Sequence, residues 1–160
     1  MAQEKLAKNA KEFTNQLIAF ASAVNKDTEQ VIRWSVLKLF ANIVKRSPVD
    51  TGTYRASHCI ASGMVSSEGG VEAGFTGGAS AATQVAMNKS LAWRWYFGDG
   101  PITIFNNAPY AEVIEFGGFK GSGPKISGGF SIQAPQGVYA LSMAEFNEIF
   151  AAQVKKAEML

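Results

Sequence analysis

Two of the side chains most used in reactive sites are almost missing: 160 residues hold one cysteine, Cys59, and one histidine, His58. A lone cysteine excludes an internal disulfide. The two residues are neighbours in an expected strand, so their side chains point to opposite faces. They therefore cannot share a metal or act together as nucleophile and base. Cys59 is expected to pack as a small apolar side chain and His58 to face solvent or a subunit contact. Charge is sparse as well, with 18% Asp, Glu, Lys and Arg and a formal net charge of +2. Basic residues stand singly except for pairs such as Lys45-Arg46 and Lys155-Lys156, at expected helix ends where cations favour the negative end of the dipole. No clustered basic face suggests sequence-specific nucleic-acid binding. No apolar run reaches the roughly 20 residues that cross a bilayer, and the longest is interrupted by Arg33 and Lys38. The first residues are charged and amphipathic, unlike a signal peptide, so synthesis in a reducing cytoplasm is expected.

What is present suits a packed body. Hydrophobic residues make up 47% of the chain, with eleven Phe and sixteen Gly. That is enough apolar material for one α+β domain over 1–160. Leu6, Ala10, Phe13, Leu17, Phe20 or Ala21, and Val24 recur at steps of three and four, predicting an amphipathic helix over 3–24. Asn25 and Lys26 break that pattern, and Asp27 with Gln30 three residues on opens a second helix to about Arg46. This second helix is apolar on too many sides for one stripe, so it should be covered on two. Pro48 ends it.

Beyond it, short alternating pieces predict strands at 58–62, 71–75, 101–105 and 137–142, a small, mainly antiparallel sheet. Helices are expected over 79–93, 108–116 and, at the C-terminus, 143–160. The body thus spans 47–142 between a helical part, 1–46, and the C-terminal helix. Residues 117–134 hold six glycines and a proline with no surviving periodicity. They form a long loop or loose hairpin, either folded on its own domain or, as the sharper expectation, an arm that orders against a neighbouring subunit.

Reactive constellations are not apparent. Glu112 and Glu115 fall three apart on a short helix without a second acidic pair, so surface or capping roles are expected. Gly69-Gly70 and Gly77-Gly78 lack the Gly-Lys-Ser/Thr continuation of a phosphate loop, so no nucleotide site and no cofactor is expected. The segment Trp93-Arg94-Trp95-Tyr96-Phe97 is open to three readings: core, subunit interface or nucleic-acid stacking platform. With Phe119 and Phe130 of the glycine-rich segment, Trp93, Trp95 and Phe97 are the candidate interface residues.

Three phrases carry more information. Ser47-Pro48-Val49-Asp50-Thr51-Gly52, with Arg55, reads as a turn from helix to sheet, with Asp bonding nearby amides and Gly at positive φ. Asn106-Asn107-Ala108-Pro109-Tyr110-Ala111, continuing to Glu115-Phe116-Gly117, reads as a strand end and helix start. Gln133-Ala134-Pro135-Gln136-Gly137 precedes the last expected strand.

In this order, the phrases resemble the HK97 gene-product-10-like family of tailed-bacteriophage neck, head–tail joining or tail-completion proteins. The likeness touches Pro48, Val49, Asp50, Thr51, Gly52 and Arg55; Asn107, Pro109, Tyr110, Ala111, Glu115 and Gly117; and Ala134, Pro135, Gln136 and Gly137, over roughly 45–146. Two departures stand out: His58 occupies the place of a frequent aromatic, and the segment before Gln133 is longer. The resemblance implies a structural virion protein and not an enzyme. Copies would assemble as a ring, expected to be sixfold, at the head–tail junction, with packaged DNA passing through. Implied partners are the head connector or adaptor and the tail tube or terminator proteins. The alternative is a tail terminator capping the tube; a virion hydrolase or DNA-binding accessory protein fits less well.

Overall fold

The computed structural model describes residues 15, 24, 27–65, 70–121 and 123–159. Except for Asn15 and Val24, the helix expected over 3–24 lies outside the described residues, as does the break expected at Asn25 and Lys26. The fold class is α+β. Helix α1 is described over 27–46, followed by α2 (Thr53–Ala56), β1 (His58–Ser62), α3 (Gly78–Ala92), β2 (Ile102–Asn106) and α4 (Ala111–Phe116). A hairpin of β3 (Ile126–Ser127) and β4 (Phe130–Ser131) leads to α5 (Tyr139–Ala144) and α6 (Phe146–Ala157).

Helix α1 is covered on two sides, as its apolar circumference requires. Leu39 and Ile43 join Tyr54, Ala108, Ile114, Ala134, Val138 and Ile149 in the main core. Phe40 and Val44, from the next positions round the helix, pack with Ala86 of α3 in a second cluster. Ala82 and Ala86 lie one turn apart and are fully buried, so α3 can approach closely. Strands β1 and β2 pair antiparallel with His58 opposite Asn106 and Ser62 opposite Ile102; β3 and β4 form a separate two-stranded antiparallel sheet.

Two expected strands are not strands. Residues 71–75 form a turn: Gly74 has φ +75°, and the Phe75 amide donates back to the Glu72 carbonyl at 3.1 Å. That local bond replaces a strand ladder. Residues 137–142, read as alternating, instead enter α5. The cause is Glu115, whose carboxylate accepts from the amides of Val138 (2.8 Å), Tyr139 (2.9 Å) and Ala140 (2.9 Å). These are open donors of a helix start, and a carboxylate satisfies both them and the positive end of the dipole. The acceptor lies 23 residues before Val138, where no local pattern could show it.

The segment 117–134 takes the form of a hairpin lying on its own body. Gly118 and Phe119 donate to the Gly129 carbonyl, and Phe119 is half-buried against the main core. Phe130 covers Gly117 so closely that a Cβ there would stand 2.8 Å from its ring. In place of the sharper expectation of an arm kept for a neighbour, Phe119 and Phe130 are engaged within the chain.

Replacing Glu115 with alanine should destabilise the fold by about 2 kcal/mol or more, because three amides lose a charged acceptor. Hydrogen exchange should quicken first at 138–140. Glu112→Ala, on the exposed side of α4, is the control and should stay within about 0.5 kcal/mol. Chemical denaturation with exchange mass spectrometry measures both.

Candidate functional site

The three sequence phrases meet around one cleft. Pro48, Asp50, Thr51, Gly52 and Tyr110 line it, facing Phe119, Ile126 and Gln133 across a volume of about 390 Å³. Each phrase is fixed by a specific bond. Arg55 reaches back to the end of α1, donating from Nε and Nη2 to the Ser47 carbonyl (3.2 and 2.6 Å) and from Nη2 to that of Lys45 (3.2 Å). A cation on the last open carbonyls complements the helix dipole, although burial lowers the Arg55 pKa. Gly52 has φ +105°, and a Cβ there would lie 2.8 Å from the Gly78 carbonyl oxygen and 2.9 Å from the Phe75 ring. Only glycine satisfies both the turn and the approach of α3.

Gln133 forms a two-way clamp across the mouth. Its Oε1 accepts from the Val49 amide at 2.9 Å, and its Nε2 donates to the Val49 carbonyl at 3.0 Å. Asp50 pairs with Lys125 at 2.6 Å, with both side chains largely exposed, so the pair adds little stability. This corrects the expectation that Asp50 bonds neighbouring amides; the turn's local side-chain contacts come from Thr51, whose Oγ1 meets Thr53 Oγ1 at 3.0 Å.

The middle phrase is anchored by Asn106, one residue before the Asn107 of the family pattern. Its Oδ1 accepts from the Ala108 amide (3.0 Å) and its Nδ2 donates to the Tyr54 carbonyl (2.8 Å). Pro109 is exposed in the turn that follows. Gly137 has φ +77°, with a virtual Cβ 2.6 Å from the Glu115 carbonyl oxygen, so the second and third phrases interlock. Pro135 and Gly137 line a shallower depression with Arg55.

Behind the cleft lies a buried polar node centred on His58. His58 is fully buried, so the expectation that it faces solvent or a subunit contact is overturned. Its Nε2 lies 2.5 Å from Ser47 Oγ, and its Nδ1 lies 2.9 Å from Tyr139 Oη. Ser47 Oγ donates its own proton to the Ile43 carbonyl at 2.8 Å. Nε2–H must then be the donor to Ser47, leaving Nδ1 to accept from Tyr139. An imidazole donating to a serine cannot take that serine's proton, and both residues are sealed from solvent, so the pair is not an activated nucleophile. Tyr54 packs edge-on to the imidazole at 5.0 Å, and its hydroxyl is buried with no hydrogen-bond partner among the described residues.

Burial, with the positive charges of Lys89 and Arg55, pushes the His58 pKa down to about 3. The ring is buried among those of Phe40, Tyr54 and Tyr139. Cys59, on the opposite face of β1, is half-buried with Sγ 3.8 Å from Lys89 Nζ. No group of three or more His, Cys, Asp or Glu side chains that could hold a metal occurs among the described residues.

The aromatic segment divides. Trp93 is buried and donates from Nε1 to Ser62 Oγ at 2.9 Å, so it is a core residue and is withdrawn from the candidate interface. Trp95 is half-buried, donating to the Gly100 carbonyl at 3.0 Å. Tyr96 and Phe97 are 58% and 49% exposed and are the members open to a partner.

Because folded His58 stays neutral to about pH 3 while an unfolded histidine binds a proton near 6.5, the unfolded state takes up the extra proton between those values. Stability from this group is complete above pH 6.5 and falls as pH drops toward 3, by up to about 1.4 kcal/mol per pH unit. Thermal melts should show a steady decline between pH 6.5 and 5. His58→Gln, less stable at pH 7.5, should lose much of that decline; an equal slope in both proteins would contradict the assignment.

No family model, curated protein or solved structure matches this chain, so its functional reading rests on the three phrases and the junction they build.

Proposed function

We propose that this chain is a structural subunit of a tailed-bacteriophage virion, a neck or tail-completion protein whose copies form a ring at the head–tail junction. The observation that carries this reading is how the three phrases fasten element ends: Gln133 clamps Val49 at the cleft, Arg55 closes the end of α1 and Glu115 holds the start of α5. These family-pattern positions and their neighbour shape backbone, as expected of an assembly module. The aromatic side chains left open at Tyr96 and Phe97 suit a contact between copies. Such a ring needs complementary patches repeated head to tail, with no requirement for reactive groups. In this reading its neighbours are the head connector or adaptor on one side and the tail tube or terminator on the other.

Electron microscopy of particles from a phage lacking this gene tests the proposal. Filled heads and finished tails lying apart are expected. Abnormally long tails would transfer the role to tail termination, and intact infectious virions would overturn it.

A further inference from the structure

The shallower depression beside the cleft, about 250 Å³ in volume, gathers charge that the sequence spreads out. Lys45 and Arg46 are neighbours at the end of α1, and the fold brings Arg55 of α2 against them, so that all three line one hollow. Gln133, Pro135 and Leu141 are among its other walls, and no acidic side chain lines it. Arg55 is held there by its bonds to the Lys45 and Ser47 carbonyls, which fix its guanidinium against the backbone that carries the other two cations.

The nearby carboxylates are already committed. Glu145 pairs with Arg46. Glu115, behind Gly137, is engaged by the amides of Val138, Tyr139 and Ala140. Among the described residues neither Lys45 nor Arg55 has an ion pair. Arg55 is half-buried, and a cation drawn out of water without a carboxylate is under-compensated. The carbonyls at the end of α1 offset only about half a charge, so the hollow stays positive. Donors remain open as well. Arg55 Nη1 meets only the Thr83 hydroxyl, at 3.4 Å, and a guanidinium carries more N–H groups than these bonds use. The Lys45 ammonium is exposed, and the side-chain contact made to this residue falls on its carbonyl.

A group that complements these walls is small, negative and able to accept from several directions. The hollow is below the about 300 to 1,000 Å³ of sites for drug-sized molecules. A phosphate group brings up to about two charges and several strong acceptor oxygens, more than a carboxylate offers. Guanidinium groups match such oxygens with paired donors. We propose that the hollow lined by Lys45, Arg46 and Arg55 binds an oxyanion of the phosphate class. The site does not depend on whether copies of the chain form a ring.

Nitrogen-15 NMR of the full chain, titrated with inorganic phosphate against sodium chloride of equal ionic strength, tests this. Saturable shifts are expected at the amides of residues 45–47 and at Arg55 Nε with phosphate and not with chloride. Lys45→Gln should weaken phosphate binding about two- to fivefold, and Lys45→Glu about tenfold or more. Because Lys45 is exposed, both variants should fold, which thermal melts verify. Duplex DNA of random sequence distinguishes the sources. Shifts at the same amides that fade steeply with salt would identify a nucleic-acid backbone, and silence with DNA beside saturation by phosphate would identify the free ion; the site stands in either case. Equal, unsaturated shifts with chloride, an affinity unmoved in both Lys45 variants, or hexaglutamate moving the same amides more strongly than phosphate would overturn it.

Discussion

His58 joins three elements through its two ring nitrogens, and the remaining junction is arranged around that bond pattern. Ser47 ends α1 and receives Nε2–H; Tyr139 opens α5 and donates to Nδ1. The ring can serve both only while neutral, and its burial beside the charges of Lys89 and Arg55 keeps it so. In a low-dielectric interior such a network is favourable when its members are satisfied and expensive when one is missing. A neutral imidazole between two hydroxyls meets that condition without an ion.

The same requirement explains why the phrases occur where they do. Each lies where an element starts or stops inside the body, leaving backbone donors or acceptors without helical partners. Arg55 takes the carbonyls at the end of α1, Glu115 the amides at the start of α5, Asn106 both an amide and a carbonyl, and Gln133 the two groups of Val49. Glycines 52 and 137 allow the approaches that side chains would prevent. The cleft follows from joining helix and strand ends in a small space.

Legibility in sequence tracked the distance over which each determinant acts. Helix α3, rich in alanine, and strands β1 and β2, with their short alternating runs, carry local signals and appear within a residue or so of the expected positions. Helix α5 was misread because its cause, the Glu115 carboxylate, is non-local; at 71–75 a local turn at Gly74 is joined by a distant bond, Ser57 Oγ accepting from the Glu72 amide at 2.9 Å. Within the phrases, Gly52 takes the positive φ expected of it, whereas Asp50 pairs with Lys125 in place of the expected amides. Which atoms they join was hidden, since Gln133 and Val49 stand 84 positions apart. His58 was placed outside because a polar residue in an alternating strand gives no sign of a buried partner. Trp93 could not be separated from Phe97 by composition, and only the fold assigns one to the core and the other to the surface.

In this account, residues that could suggest chemistry, a serine beside a histidine and a glutamate beside a helix start, serve to hold a junction. Tyr96 and Phe97 stay exposed, the side chains that the proposed assembly would use. The claim turns on the state of one imidazole, and nitrogen-15 NMR of the His58 ring reads it directly. The account predicts a neutral ring with the proton on Nε2, unchanged from pH 8 to pH 5. A proton on Nδ1 in the neutral ring, or titration near pH 6.5, would contradict it, leaving Nε2 available to accept the serine proton or showing that the node admits charge.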